Sequence, residues 1–457
     1  MASPQPSPNP AGDDPFIRAF RGPIAPVPVT FGYRLSLLVV AAVMVALPLV
    51  YLALVGLMGW GVVTYAVEGT EIFQGGSGGM KGRLFVYVAP LVIGGILFLF
   101  MIKPLFAPRG QHAEPIPLDL RKEQRLVGFI NHLCDAVGAP RPTRIAISSE
   151  VNAYARLRRF FSSDLELCIG LPLAATMGVS ELAAVIAHEF GHFTQAMGMR
   201  ASQLIWRVNR WFARVVYQRD SWDEWLDNTA AAVDHWAIAI VLHLSRFCVW
   251  LTRRVLWVLM MIGHLVSQIL SRQMEFDADR YAVRLAGLDA FKQGMQRLPV
   301  TAAAEAMSHR ALQDSFQQGV LADDLPAMIA AGVERFEPEL KTRLIRDGMT
   351  TNTGMYDSHP STRDRFDSAD RDGSPGVLSR LDNPATALFT DFAGAAKAVT
   401  ASFYRDQLEL PMQHLQLVPT ASYFTDAADE AAANSDAQAT QDDADPQPED
   451  DRIPVPW

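Results

Sequence analysis

The 457-residue sequence predicts a mainly α protein, with an α+β layer built on a small sheet and a transmembrane helical hairpin at its N-terminal end. Three observations predict it. Residues 35–67 and 84–102 are apolar runs without a single Asp, Glu, Lys, Arg or His. Long alanine- and leucine-rich stretches of helical character fill most of the remainder. Between the two regions, 144–148 and 165–169 are short strand-like segments bounded by turn residues.

The order along the chain follows from composition. The first 28 residues carry eight prolines and little apolar content, so residues 1–30 are expected to form a flexible leader. The run 35–67 is far longer than a signal-peptide core of roughly 7–15 residues and reads as a transmembrane helix. At ~1.5 Å per residue it exceeds a ~30 Å hydrocarbon core, so it must tilt, kink at Pro48 or emerge at one end. The glycine-rich segment QGGSGG then leads into the second run, and residues 31–108 form a hairpin. Lys and Arg number three in residues 1–34, two in the intervening loop and five in residues 103–125. The positive-inside rule therefore puts both ends of the hairpin, and the domain that follows, in the cytoplasm of a multi-pass cell-membrane protein.

Residues 109–420 form the main folded domain. A helix is expected over 120–137, and past Gly198 a helix with Arg207, Arg210 and Arg214 among Trp206, Trp211 and Phe212 reads either as interfacial or as a basic face on a protein core. A third apolar stretch, 236–270, is broken by Arg246 and the Arg253-Arg254 pair. Residues 421–457 are expected to be a disordered acidic tail. Ten acidic residues between 426 and 451 account for the formal charge of −9 and leave a body near +1. That balance excludes a nucleic-acid footprint. Hydrophobic residues at 49% against 19% charged exclude a wholly disordered chain. Three scattered cysteines, Cys134, Cys168 and Cys248, offer neither a disulfide framework nor a CxxC metal site and fit a reducing compartment.

Chemistry concentrates in GVSELAAVIAHEFGHF, residues 178–193, where Ser180 is a plausible N-cap and Leu182, Val185, Ile186, Phe190 and Phe193 give helical periodicity. Residues four apart share a helix face, so His188 and His192 can reach one metal ion with Glu189 beside it. HExxH on a helix is accordingly a zinc-hydrolase signature. A catalytic zinc site needs a third protein ligand. Downstream acids are Asp220, Asp223, Glu224, Asp227, Asp234, Glu275, Asp277 and Asp279. Among them Glu275 and Asp279 stand four apart, so that Glu275 could ligate while Asp279 orients a ligand histidine from behind.

HEFGH followed well downstream by EFDAD resembles the M48 metallopeptidases of the HtpX/Ste24-like type. Asn152-Ala153-Tyr154 and His359-Pro360 with Arg365 resemble two further motifs of that family, in family order. The resemblance spans roughly residues 110–370. It implies a zincin-like α+β catalytic domain and a zinc endopeptidase holding one Zn2+ per chain on His188, His192 and Glu275. It further implies Glu189 as catalytic base, with Asn152 on the substrate and His359 and Arg365 lining the active site, either of the latter serving the oxyanion. The implied partners are protein or peptide substrates, membrane proteins among them, and the lipid bilayer. By the same analogy the setting is membrane-protein quality control. A Ste24-like processing protease of narrow specificity and a non-catalytic membrane scaffold with a structural zinc site are the alternatives.

Two structural expectations follow. Because His192 and Glu275 must meet, the chain between them crosses the membrane an even number of times. Stretch 236–270 is then either a helix lying partly in the interface or a hairpin turning at Arg253-Arg254. An extended substrate is expected to pair with an edge strand at 165–169.

Overall fold

The computed structural model describes residues 14–28, 31–73, 79–106, 114–158, 164–194, 196–218, 228–229, 236–350, 360–410 and 415–421. The chain enters at a single helical turn, α1 (Pro15–Arg18), capped by Asp14, whose carboxylate accepts the Phe16 N–H and pairs with Arg125 at 3.0 Å. Residues 14–28 of the expected leader are packed against the folded domain. Phe16, Ala19, Ile24 and Val27 are buried in the hydrophobic core, and Phe20 packs its ring 5.3 Å from that of Phe129. The Arg284 guanidinium donates to the carbonyls of Ala25 and Pro26. Proline density lowers the entropy lost on ordering such a strap, and its few apolar side chains find a ready-made surface that local composition cannot reveal.

Two antiparallel helices follow, α2 (Phe31–Glu68) and α3 (Met80–Ile102). They approach closely at glycines, with Gly94 against Val62 and Gly59 against the Phe98 ring. Leu38, Leu57, Phe85 and Leu99 are each more than half exposed, an apolar surface that lipid would cover. α2 continues through Pro48 and, at ~57 Å, is longer than a bilayer core.

The α+β layer contains β1 (Ile116–Pro117), α4 (Gln124–Val137), β2 (Arg144–Ser148), β3 (Ala153–Leu157) and β4 (Leu165–Gly170), in the order β1-β2-β4-β3. β2 runs parallel to β4, and β3 antiparallel to it. The segment 165–169 is therefore central and buried on both faces, not the edge strand expected from sequence. Its uninterrupted apolar run, broken only by Glu166, reflects that position. The edge is β3, whose alternation is masked by Arg156 and Tyr154.

The helices that build the site are α5 (Leu171–Thr176), α6 (Val179–Gly191), α7 (Ala196–Tyr217) and α8 (Trp236–Ala286). α7 buries Ile205, Phe212, Val215 and Val216 in a cluster shared with α2 and α8, so its apolar face is covered by protein. Arg207 stays exposed, and Arg210 stacks 4.7 Å over Trp206. α8 is one unbroken helix of 51 residues. The hairpin at Arg253-Arg254 is thereby overturned: two arginines without glycine or proline do not interrupt a helix. Arg253 instead donates to the Gln218 carbonyl at 3.2 Å, beside the end of α7. Beyond lie α9 (Leu288–Phe316), β5 (Val320–Ala322), α10 (Leu325–Arg335), α11 (Pro338–Thr350), α12 (Thr362–Asp372), α13 (Phe392–Ser402) and β6 (Gln416–Val418), the last parallel to β5. Of the acidic tail, all beyond Ala421 lies outside the described residues.

Candidate metal centre

Helix α6 starts at N-cap Gly178, two residues before the Ser180 expected from sequence; the Gly178 N–H donates to Glu181 at 3.2 Å. Ser180 instead accepts from the Leu381 N–H at 2.8 Å, tying the helix start to the chain after α12. α6 packs on the sheet through Leu182, Ile186 and Phe190. That burial turns its remaining face, with His188 and His192, toward α8, and the two imidazole centroids are 5.0 Å apart.

α8 brings Glu275 between them. Its carboxylate oxygens lie 3.5 Å from His188 Nε2 and 3.7 Å from His192 Nε2. The helices meet closely because of Gly191: a Cβ there would sit 3.0 Å from the Ala278 Cα and 3.2 Å from Tyr281. One donor atom from each of His188, His192 and Glu275 falls within 4.8 Å of the others, a set that could hold a metal ion.

Behind His188 the site is built in depth. Its Nδ1 is 3.0 Å from Asp279, one turn beyond Glu275 and 1% exposed, which leaves Nε2 for the metal face. Arg365 of α12 grips Asp279 with two nitrogens, Nε at 2.9 Å and the terminal nitrogen at 2.5 Å. The guanidinium is 3.9 Å from Glu275 and 3.4 Å from His188 Nδ1. Arg365 thus stands on the Nδ1 side of His188, where it holds Asp279. The expected oxyanion contact would require the opposite, Nε2 side.

Glu189 lies beside the two histidines and accepts the backbone N–H of Ala155 in β3. Burial pushes its carboxyl up to about 7; the neighbouring His188 pulls it down and Glu275 reinforces the rise. Burial and the charge on a protonated His188 push His192 down to about 4, leaving it a free lone pair at neutral pH. Burial opposes the charged form of His188 as well, but Asp279 and Glu275 hold it up to about 10, so it has a proton to give up when a metal binds. A neutral His192 and an elevated Glu189 suit a metal ligand and an adjacent base. Asn152 is exposed at the entrance to β3, and its carbonyl accepts the Gly170 N–H at 2.8 Å. The pairing alternates, so Ala153, Ala155 and Leu157 turn their backbone groups away from β4 toward the open edge. His359 lies outside the described residues. Sequence reasoning missed Ala155, Gly191 and the pairing of Arg365 with Asp279. Only the glycine inside HEFGH carried a visible signal.

These elements define a metallohydrolase-type site on two helices beside a sheet edge. The family model "Peptidase family M48" matches residues 120–372, and the chain belongs to that family. Among its described helices, α2, α3 and α8 are each long and apolar enough to cross a bilayer. No curated protein matches the sequence. A solved structure it is similar to is S. mikatae Ste24p, with 16% identity over 72% of this chain and a TM-score of 0.26. The chain spans 66% of that protein, just under two thirds of its length.

Proposed function

We propose that this membrane metallopeptidase is a zinc-dependent endopeptidase, with His188, His192 and Glu275 as its metal ligands. The observation that carries the reading is the convergence of those three donors from two separate helices. Two imidazoles and one carboxylate fit a catalytic zinc site, whose fourth position stays open. Zinc held there would supply a Lewis acid for the scissile carbonyl and the attacking water. Glu189 is placed to take a proton from that water and return it to the leaving amine. Asp279 fixes the His188 tautomer, and Arg365 keeps Asp279 ionised and in place. The substrate lies extended along β3, bonded to the outward groups of Ala153 and to the Ala155 carbonyl, the Ala155 N–H being held by Glu189, with Asn152 at its entrance; His359 is a candidate for the oxyanion.

The positive-inside count supports a catalytic domain on the cytoplasmic face, where membrane proteins in need of disposal are accessible. The quality-control role rests on family resemblance alone. The test measures zinc content and cleavage of an unfolded substrate by detergent-purified protein, wild type beside Glu189→Gln. About one zinc per chain in both, with cleavage only by wild type, is expected. Cleavage by both at equal rate would remove Glu189 from the mechanism. Zinc without cleavage by either would shift the reading to a narrow processing protease, tried next on prenylated C-terminal peptides.

A further inference from the structure

One face of the sheet is closed by α6 and the other carries charge. Ile145, Leu157 and Leu167 lie in the core shared with α6, so the residues that alternate with them point to the opposite face. There the register sets Arg144 of β2, Glu166 of β4 and Arg156 of β3 directly across from one another. Glu166 is 1% exposed, and one of its oxygens accepts Arg156 Nε at 3.1 Å and Nη2 at 2.8 Å. Its other oxygen lies 3.6 Å from Arg144 and 3.7 Å from Arg158, and Arg158 is also 3.7 Å from Asp164. Three guanidiniums therefore share two carboxylates. One arginine would be enough to keep a buried glutamate from standing unpaired. The excess sits at the open edge, where the Arg156 and Arg158 side chains are 42% and 45% exposed.

A strand added to that edge continues the row. Whichever way it runs, the residue facing Arg156 puts its side chain on the charged face, with the two Cβ atoms about 5 Å apart. The order across the sheet becomes Arg144, Glu166, Arg156 and then the substrate residue. Facing positions of opposite charge stabilise a sheet, and a lysine there would meet Arg156 as a like charge. The residue facing Leu157 turns to the α6 side, away from both guanidiniums, and the one facing Arg158 returns to the charged face. Glu189 accepts the N–H of Ala155, the residue before Arg156, so these positions lie close to the scissile bond.

Given the endopeptidase reading and a substrate extended along β3, we propose that Arg156 and Arg158 select for acidic side chains at two substrate positions separated by one residue.

The full-length protein in detergent, loaded with zinc, would be given an unfolded peptide whose cleavage site has been located by mass spectrometry. Glu, Gln or Lys is then placed at each flanking position in turn. Glu should exceed Gln in kcat/KM about fivefold at two positions separated by one residue, and Lys should fall below Gln, with no such ranking at the position between them. Salt at about 0.5 M should narrow the ranking, since both side chains reach solvent. Arg156→Gln should remove it at one position, and Arg156→Lys should keep it. Arg158→Gln should remove it at the other; that side chain is exposed and loosely paired, so the melting temperature should stay near wild type. The same ranking should appear without turnover in the binding of fluorescein-labelled peptides to Glu189→Gln, read by anisotropy. Cleavage with no charge ranking, or a ranking that survives both Arg156→Gln and Arg158→Gln, would overturn the proposal and leave the endopeptidase reading intact. No cleavage of any peptide by the zinc-loaded protein would overturn that reading, and this proposal with it.

Discussion

Replacing Gly191 by alanine adds one methyl group at the point where α6 meets α8. Its Cβ would lie 3.0 Å from the Ala278 Cα, while ordinary contact begins at 3.4 Å, so the helices must separate by about 0.4 Å. Neither partner is the end of a flexible chain: one is backbone and the other the base of Tyr281, itself buried. Ala278 sits one turn from Glu275, so the displacement is passed to the carboxylate, whereas His188 and His192 stay with α6. A metal site tolerates ligand distances within roughly ±0.2 Å of ideal, and 0.4 Å is about twice that. Overpacking should cost about 1–3 kcal/mol in stability. Metal affinity should fall roughly 10–100-fold, the range seen when support for ligands is disturbed. Competition with a chromophoric chelator gives the affinity and calorimetry gives the melting temperature. Wild-type metal affinity in Gly191→Ala would refute the argument that this contact sets the ligand spacing.

Other outcomes follow from the same geometry. Asp279→Asn leaves the buried Arg365 charge without its partner and the His188 tautomer unfixed; a loss of about 3 kcal/mol on denaturation and roughly 10–100-fold weaker metal binding are expected. Glu189→Gln should retain metal stoichiometry by elemental analysis while the cleavage rate falls roughly 10²–10⁴-fold. Chelation should abolish cleavage, and added zinc should restore it without refolding, as judged by an unchanged circular dichroism spectrum. Phe16→Ala removes a ring that is 6% exposed and should lower stability by about 3–5 kcal/mol in thermal or denaturant unfolding. Its cleavage rate at a temperature where the protein is folded should match wild type, because the strap's partners Arg125, Phe129 and Arg284 are not residues of the metal centre.

The metal ligands were legible because their spacing is imposed by the helix itself. HExxH needs only the 3.6-residue period to put two imidazoles on one face, and Glu275 with Asp279 repeats the same logic on a second helix. The membrane helices were equally plain, since a charge-free run has few alternatives in a folded chain. What failed were statements about which element lies next to which. The segment 165–169 is apolar except for Glu166 because it is central, and the two-residue alternation that marks an edge strand was absent from it and obscured in β3. The proline-rich leader looked unable to fold because its partners, Phe129 and Leu378 among them, lie more than a hundred residues away. Arg365 was placed in the active site by resemblance alone, and its partner Asp279, 86 residues earlier, is visible only in the packing. Residue types reveal chemistry; the direction in which a guanidinium points is a property of packing.

The length of α8 bears on how this enzyme would be handled. Between the Arg253-Arg254 pair and Glu275 the helix runs for ~32 Å without a joint. A stiff rod of that reach behaves as a lever: pivoting by about 2° near the arginines carries the glutamate roughly 1 Å, about five times the roughly ±0.2 Å within which metal–ligand distances must fall. Bilayer thickness and micelle curvature set such angles. Solubilisation is therefore itself a perturbation of the active centre, and turnover measured in detergent and in bilayers of graded thickness should differ even where the fold is the same.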